Sequence, residues 1–184
     1  IGVCGNLRSF NDTCINKDKI ISLKKFPKEI DLDKKKGYLT VSSNVLLIDI
    51  LKKIVPEGFF LTVTPGTKYI TVGGMISNNV LGKNSQKNQF KYLIKEIKLL
   101  TSQNKIITCS NKRNKKFFDL TIGGFGLTGI IINTKLKLKK IRNQYINQEI
   151  TKFHNLREFM KISKKKDRFN VAWIDSHSLN KFNF

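Results

Sequence analysis

Residues 63 to 84 read VTPGTKYITVGGMISNNVLGKN, and the reading of this stretch decides the fold. Its apolar residues neither alternate as in a strand nor recur at helical spacing, and glycines stand at 66, 73, 74 and 82, where a regular element would exclude them. Two other stretches share this property, CGNLRSFND at 4 to 12 and TIGGFGLTGI at 121 to 130. Glycine reaches positive φ without steric cost, and its missing side chain lets backbone N–H groups approach a phosphate or a flat ring. A tight turn explains any one cluster as well; the three together point to a dinucleotide. None has the spacing of a Rossmann fingerprint or a Walker loop, so the binding mode is a different one.

Working outward, Tyr38 to Ser42 alternates like a strand, and Asn44 is placed to cap a helix with apolar positions Val45, Ile48, Leu51, Ile54 and Val55. Phe59 to Val63 reads as a buried strand, and Ile20 to Leu23 as a short one. Lys91 to Leu100 and Lys105 to Cys109 flank the polar run Thr101 to Asn104, the pattern of a β-hairpin. Asn111 is placed to cap a short helix through Phe118. Ile130 to Leu138 alternates over a long strand, with Thr134, Leu136 and Leu138 on one face and Lys135, Lys137 and Lys139 on the other. Residues 155 to 166 read as a helix and 170 to 175 as a strand. This mixture makes an α+β fold, and 184 residues with 40% hydrophobic content suffice for one core.

The formal net charge of +22 raises nucleic acid, an anionic membrane or an anionic substrate as partners. Lysine is spread over almost every segment, however, in company with Asn and Ile. Only 34 to 36 and 164 to 166 form runs, and these read as solvated turns. No RNP-like aromatic pattern is present, so a specific nucleic-acid partner is not expected. Cys4, Cys14 and Cys109 are scattered without metal or disulfide spacing, which favours a reducing, cytoplasmic setting and no metal site. Peripheral membrane contact stays open.

The three clusters, in this order and separation, resemble the PCMH-type FAD-binding domain of the vanillyl alcohol oxidase superfamily. Within it, the stretch quoted first, TIGGFGLTGII at 121 to 131 and VAWIDS at 171 to 176 are similar to the decaprenylphosphoryl ribose oxidase group. The resemblance implies two small sheets flanked by helices with FAD between them over residues 1 to 144, and the start of a substrate domain over 145 to 184. Opening on Ile1 and stopping soon after a strand-like run, the chain is expected to be a piece of a longer protein.

Carried over by resemblance, Cys4, Gly5, Asn6, Leu7, Arg8, Ser9, Phe10, Asn11 and Asp12 form the first phosphate loop, with the backbone amides and the Ser9 hydroxyl on the pyrophosphate. Pro65, Gly66 and Thr67 lie along the isoalloxazine, and Thr71, Gly73, Gly74 and Asn78 match the turn and short helix after it, whose start would suit an anion. A Cβ at Gly73 or Gly74 is expected to push the backbone away from the flavin. Leu81, Gly82, Lys83 and Asn84 match the motif beside the ring, with Lys83 the one charged group and the catalytic candidate. Gly126, Thr128, Gly129 and Ile130 match a strand entry near the adenosine half.

Departures from the pattern matter as much. Where the family's first loop reads glycine, arginine, serine, tyrosine, glycine, aspartate, this chain has Leu7, Arg8, Ser9, Phe10, Asn11 and Asp12. Histidines common around the second loop are replaced by Leu81, Ser85 and Gln86, and His154 and His177 read as peripheral. Arg8 stands where related aldonolactone and alditol oxidases carry the histidine that bonds the flavin, and a guanidinium cannot act as that nucleophile. FAD is therefore expected without a covalent link. The implied chemistry is oxidation of a secondary alcohol of a sugar, such as a polyprenyl phosphate sugar, by hydride transfer to flavin N5, with the general base and the electron acceptor not visible. Aldonolactone or alditol oxidation is the alternative substrate reading. A non-catalytic remnant or basic binding module is the alternative of another class.

Overall fold

A computed structural model describes residues 2–9, 12–83, 87–164 and 169–174. The fold is α+β, as the pattern of elements implies. Its centre is an antiparallel sheet of five strands in the order β3-β4-β8-β6-β7, where β3 is Ile30–Asp33, β4 Tyr38–Ser42, β6 Ile94–Leu100, β7 Ile106–Cys109 and β8 Ile130–Lys137. Two ribbons flank it: β1 (Gly2–Cys4) runs parallel to β2 (Ile20–Ser22), and β5 (Phe59–Phe60) runs antiparallel to β9 (Lys139–Lys140). Helices α1 (Leu47–Ile54), α2 (Val72–Ser77), α3 (Lys115–Thr121) and α4 (Leu156–Ser163) complete the described elements. No helix among the described residues is long and apolar enough to cross a membrane.

Alternation in β8 does what the sequence implies. Thr134, Leu136 and Leu138 are buried, while Lys135, Lys137 and Lys139 face solvent. One core forms between the sheet and helices α1 and α2, with Leu39, Val41, Ile97, Leu99 and Leu136 meeting Ile50, Ile54, Met75 and Ile76. Charge pairing at the far end of the sheet links the β3–β4 turn to the turn after α1. There the Lys34 ammonium bonds Glu57 and holds its carboxyl below the usual carboxylate range.

Several local expectations are corrected by tertiary bonds. Asn44 caps no helix, because its amide donates to the carbonyls of Leu23 and Phe26 at 3.1 and 2.6 Å and so staples the 23–26 segment to the sheet. Helix α1 starts later, after Leu46, and buries Leu47, Ile50 and Ile54 rather than Ile48 and Leu51. Asn111 likewise gives way to Asn114, which takes a left-handed backbone before α3 and donates its amide to the Thr108 carbonyl at 2.8 Å. Residues 90 to 93 form a 3₁₀ turn rather than the first part of the hairpin strand. Only Phe59 and Phe60 of the run to Val63 join a ladder, although Leu61 and Val63 are fully buried.

Strands β1 and β3 were not expected from the pattern; each is short, β1 pairing with β2 across the intervening loop and β3 forming a hairpin with β4. Segment 170–174 forms no strand, and position 175 lies outside the described residues. There the Asn170 N–H goes to the Lys83 carbonyl at 2.7 Å, and Trp173 and Ile174 are exposed with no layer to bury them. Helix α4 is capped by Asn155, whose side chain accepts from Glu158 N–H at 2.9 Å.

Gly129, at the entry to β8, has φ +142°, and a Cβ there would lie 2.3 Å from the Leu100 carbonyl oxygen. Gly126 has φ +80° but open space around it. Gly129→Ala is therefore expected to lower unfolding free energy by about 2–4 kcal/mol, and Gly126→Ala by only about 1–2 kcal/mol. Chemical denaturation of the two variants measures the difference.

Candidate functional site

One cavity of about 410 Å³ receives parts of all three glycine clusters. Gly5, Asn6, Leu7, Arg8 and Ser9 form one wall; Thr71, Gly73, Gly74 and Asn78, at the two ends of α2, form another. Gly126 and Gly129 close a third side, next to Phe125. The segments meet because glycine lets backbone approach backbone. A Cβ on Gly5 would fall 2.3 Å from the Thr71 hydroxyl, and one on Gly73 would fall 3.2 Å from Ser43 Cβ and 3.3 Å from the Ser43 carbonyl oxygen. A side chain at Gly73 would thus crowd Ser43, and one at Gly74 would approach the Thr71 hydroxyl and Ile70, while both glycines line the cavity.

Backbone amides in the cavity divide into two groups. At the start of α2, Val72 N–H donates to the Val45 carbonyl at 2.9 Å, Gly73 N–H to the Ser43 carbonyl at 2.7 Å and Gly74 N–H to the Thr71 hydroxyl at 3.2 Å. No donor of that turn is left over, which corrects the expectation that it would suit an anion. In the first loop the opposite holds: among the described residues, the N–H groups of Gly5 through Ser9 donate to no protein acceptor. Leu7 lies in the left-handed region at φ +51°, and consecutive amides around such a residue form a concavity for an anion.

Positive charge stands beside that loop. The Arg8 guanidinium carbon lies 5.9 Å from the centre of the Tyr69 ring, and Lys68 Nζ lies 5.6 Å from the same ring. Asn6 fixes the loop to this segment by donating its amide to the Tyr69 carbonyl at 2.8 Å. Arg8 has no carboxylate within ion-pair distance among the described residues, so its charge is available to a ligand.

Other residues expected at the site take different places. Cys4 is buried behind the loop in β1, and Asp12 opens a 3₁₀ turn that ends on Cys14, a half-buried wall residue of the cavity. Thr128 shares a hydrogen bond with Thr121 at 2.9 Å, and Ile130 begins β8 one residue before Ile131, which does line the cavity. Pro65, Gly66 and Thr67 line a separate, shallower hollow with Leu47, Leu51 and Phe60. Leu81 pairs with Gln89, Gly82 N–H donates to the Asn88 carbonyl at 2.6 Å, and the exposed Lys83 accepts from Asn170, so these three stand outside the main cavity.

Phe169 packs edge-on against Phe60, with ring centres 6.5 Å apart, which brings segment 169–174 to the side of the hollow and of Lys83. Phe10, Asn11 and Asn84, with Ser85, Gln86 and His177, lie outside the described residues. His154 is exposed ahead of α4. Residues that the sequence did not single out complete the cavity, chiefly Ser43, Thr13 and Cys14. Ser43 sits at the end of an alternating strand and carries no local signal of a site.

An α+β domain whose glycine turns wall one cavity, with unbonded loop amides and an unpaired arginine at its edge, has the features of a nucleotide-binding domain. The family model of the FAD binding domain matches residues 1–110, and the chain belongs to this family. Over 179 residues, 93% of the chain, it is 26% identical to decaprenylphosphoryl-β-D-ribose oxidase of Mycolicibacterium smegmatis, of which it covers 39%. It is 30% identical over 111 residues to cytokinin dehydrogenase 2 of Arabidopsis thaliana, covering 60% of the chain and 22% of that protein. L-gulonolactone oxidase of Scyliorhinus torazame is 23% identical over 134 residues, 73% of the chain and 30% of that protein. The chain therefore spans well under half the length of each of these relatives.

Leu7 stands at a left-handed backbone position with a half-exposed side chain, where the family's loop has glycine. A bulky residue there costs about 1–2 kcal/mol, and glycine returns about 0.5–1 kcal/mol of that to the unfolded chain. Leu7→Gly is expected to raise stability by a net of about 0.5–1 kcal/mol, read as an upward shift in the denaturation midpoint at unchanged slope.

Proposed function

We propose that the protein is an FAD-dependent oxidoreductase acting on a CH–OH group of a sugar-type substrate, with the cofactor held without a covalent bond. The observation that carries this reading is the convergence of the three glycine clusters on one cavity, with the run of unbonded amides at Gly5 to Ser9 on one wall. That donor set fits a pyrophosphate. It presents neutral N–H groups for the oxygens and Arg8 for the charge, while the mainly apolar remainder, including Ile70, Val80 and Ile131, suits a flat ring. When bound, the flavin supplies the acceptor for hydride leaving the carbinol carbon.

In this reading the chain's own residues do the positioning. Gly5, seated on Thr71, sets the depth of the phosphate loop, and Arg8 neutralises the charge that the loop amides bind. The hollow at Pro65 to Thr67 and the exposed Lys83 stand on the side where Phe169 and Asn170 dock, so the reactive ring and the substrate are assigned to that side, and residues from 145 onward to the start of a substrate domain. Lys83 would face the substrate there as a cation. No carboxylate or imidazole lines the cavity among the described residues, so the proton acceptor is assigned elsewhere. The match to decaprenylphosphoryl-β-D-ribose oxidase over 93% of the chain favours a sugar carbinol, on a polyprenyl phosphate carrier, over an aldonolactone.

Arg8 occupies the position where a covalent link would need a nucleophile, and Cys14 is the one thiol on the cavity wall among the described residues. The full-length protein should purify yellow. After acid precipitation the colour should appear in the supernatant; colour retained by the pellet would refute the non-covalent assignment. Arg8→Gln should weaken FAD binding about tenfold, the loss of one charge-assisted contact worth about 1.5 kcal/mol, as measured by equilibrium titration. Unchanged affinity would remove Arg8 from the phosphate site.

A further inference from the structure

We propose that Tyr69 is a positioning residue for the first loop: its ring holds the Arg8 guanidinium at the edge of the cavity, so that the arginine and the loop amides stand in place before the dinucleotide binds. The inference deepens the flavin reading above and rests on it. The loop needs such a restraint. Among the described residues the N–H groups of Gly5 through Ser9 bond no protein acceptor, and a segment without bonds of its own must be ordered by its ligand, at a loss of affinity. Its ties run instead to residues 69 to 71. Gly5 is seated on Thr71, Asn6 donates its amide to the Tyr69 carbonyl at 2.8 Å, and the Arg8 guanidinium carbon lies over the Tyr69 ring, 5.9 Å from its centre.

The segment around Tyr69 is a firm anchor because its backbone is bonded to the start of α1 and the residues before it. Ile48 N–H donates to the Lys68 carbonyl at 2.9 Å, Leu47 N–H to the Ile70 carbonyl at 3.0 Å and Val72 N–H to the Val45 carbonyl at 2.9 Å, with Val45, Leu47 and Val72 all in the core. The Tyr69 side chain takes no part in that core, since the residue is 46% exposed. Its backbone belongs to the fold, and its ring is left for Arg8.

An aromatic face suits this task better than a carboxylate. A carboxylate would engage the guanidinium through its in-plane N–H groups and offset its charge, the two properties that a pyrophosphate uses. A ring attracts the cation by its quadrupole and leaves the charge whole, and a guanidinium resting on it by its own face keeps its N–H donors directed outward. Arg8 accordingly lines the cavity with no carboxylate partner among the described residues. Lys68 Nζ shares the ring at 5.6 Å, but Lys68 lines the second hollow and not the main cavity.

The test titrates the full-length protein, stripped of flavin, with FAD directly and with ADP by competition, for wild type, Tyr69→Phe, Tyr69→Leu, Arg8→Gln and the double variant of the last two. ADP carries the pyrophosphate without the flavin ring. Tyr69→Leu should weaken FAD and ADP alike by about threefold, the size of an exposed cation–π contact. Tyr69→Phe, which keeps the ring face and loses only the hydroxyl, should bind both as wild type does. In the Arg8→Gln background Tyr69→Leu should add nothing, because the ring acts through Arg8, and the apo forms of wild type and Tyr69→Leu should melt at the same temperature. Tyr69→Leu binding as tightly as wild type, an equal loss in Tyr69→Phe, or a loss that persists in the Arg8→Gln background would overturn the proposal. A lower apo melting temperature would overturn it by marking the ring as structural, and a loss for FAD with ADP unchanged by marking Tyr69 as a wall against the flavin ring. Wild-type protein that takes up no FAD would overturn it together with the flavin reading, whereas wild type that binds FAD alongside an unaffected Tyr69→Leu overturns the role of Tyr69 alone.

Discussion

The bond from Gly73 N–H to the Ser43 carbonyl, 2.7 Å long, is the contact on which the architecture of the site depends. It fastens the start of α2 to the end of β4, a strand in the interior of the five-stranded sheet and paired with β8 on one side and β3 on the other. A Cβ at position 73 would meet Ser43 at 3.2 Å, tight enough that Ser43 would have to give way, so glycine suits this approach. The adjoining bond from Val72 to Val45 repeats the connection one residue earlier.

The other walls of the cavity are built by the same device. Gly5 brings the first loop onto Thr71, and Gly129 brings the entry of β8 onto the Leu100 carbonyl. Close backbone contact consumes hydrogen-bonding groups, and the donors of α2 are spent entirely on the protein itself. The first loop has few internal bonds, and its amides remain for a ligand. Strain collects here too. Of the described residues other than glycine with positive φ, the two bulky apolar ones, Leu7 and Phe125, both line the cavity, while asparagines take several of the rest. Backbone strain at a ligand site is tolerated where the surrounding structure over-determines it.

Most regular elements were legible where a periodic pattern met a single buried face. Strands β4, β6, β7 and β8 show their alternation in sequence, and α4 its polar cap. The errors have a common origin in asparagine and in short segments. Asn44 and Asn111 carry the chemistry of a helix cap, but an amide that can cap a helix can equally bond a distant carbonyl, and for Asn44 the carbonyls of Leu23 and Phe26 compete successfully. Strands of three or four residues such as β1 and β3 have too little pattern to register, and it is pairing with β2 and β4 that defines them.

The candidate site divides along the same line. Glycine density at 4 to 12, 64 to 84 and 121 to 130 is a local property, since glycine takes close approaches and positive φ without steric cost; it pointed to a dinucleotide, and the resemblance of these stretches pointed to the family. Which glycines face the cavity, which amides stay free and which face only protein were decided by tertiary contacts. These include the assignment of Pro65 to Thr67 to a second hollow and the docking of Asn170 on Lys83. A residue type states what a group is able to bond, and that much the sequence by itself determined. Whether the group has a partner depends on atoms brought alongside by remote parts of the chain, and only the folded structure brings them there.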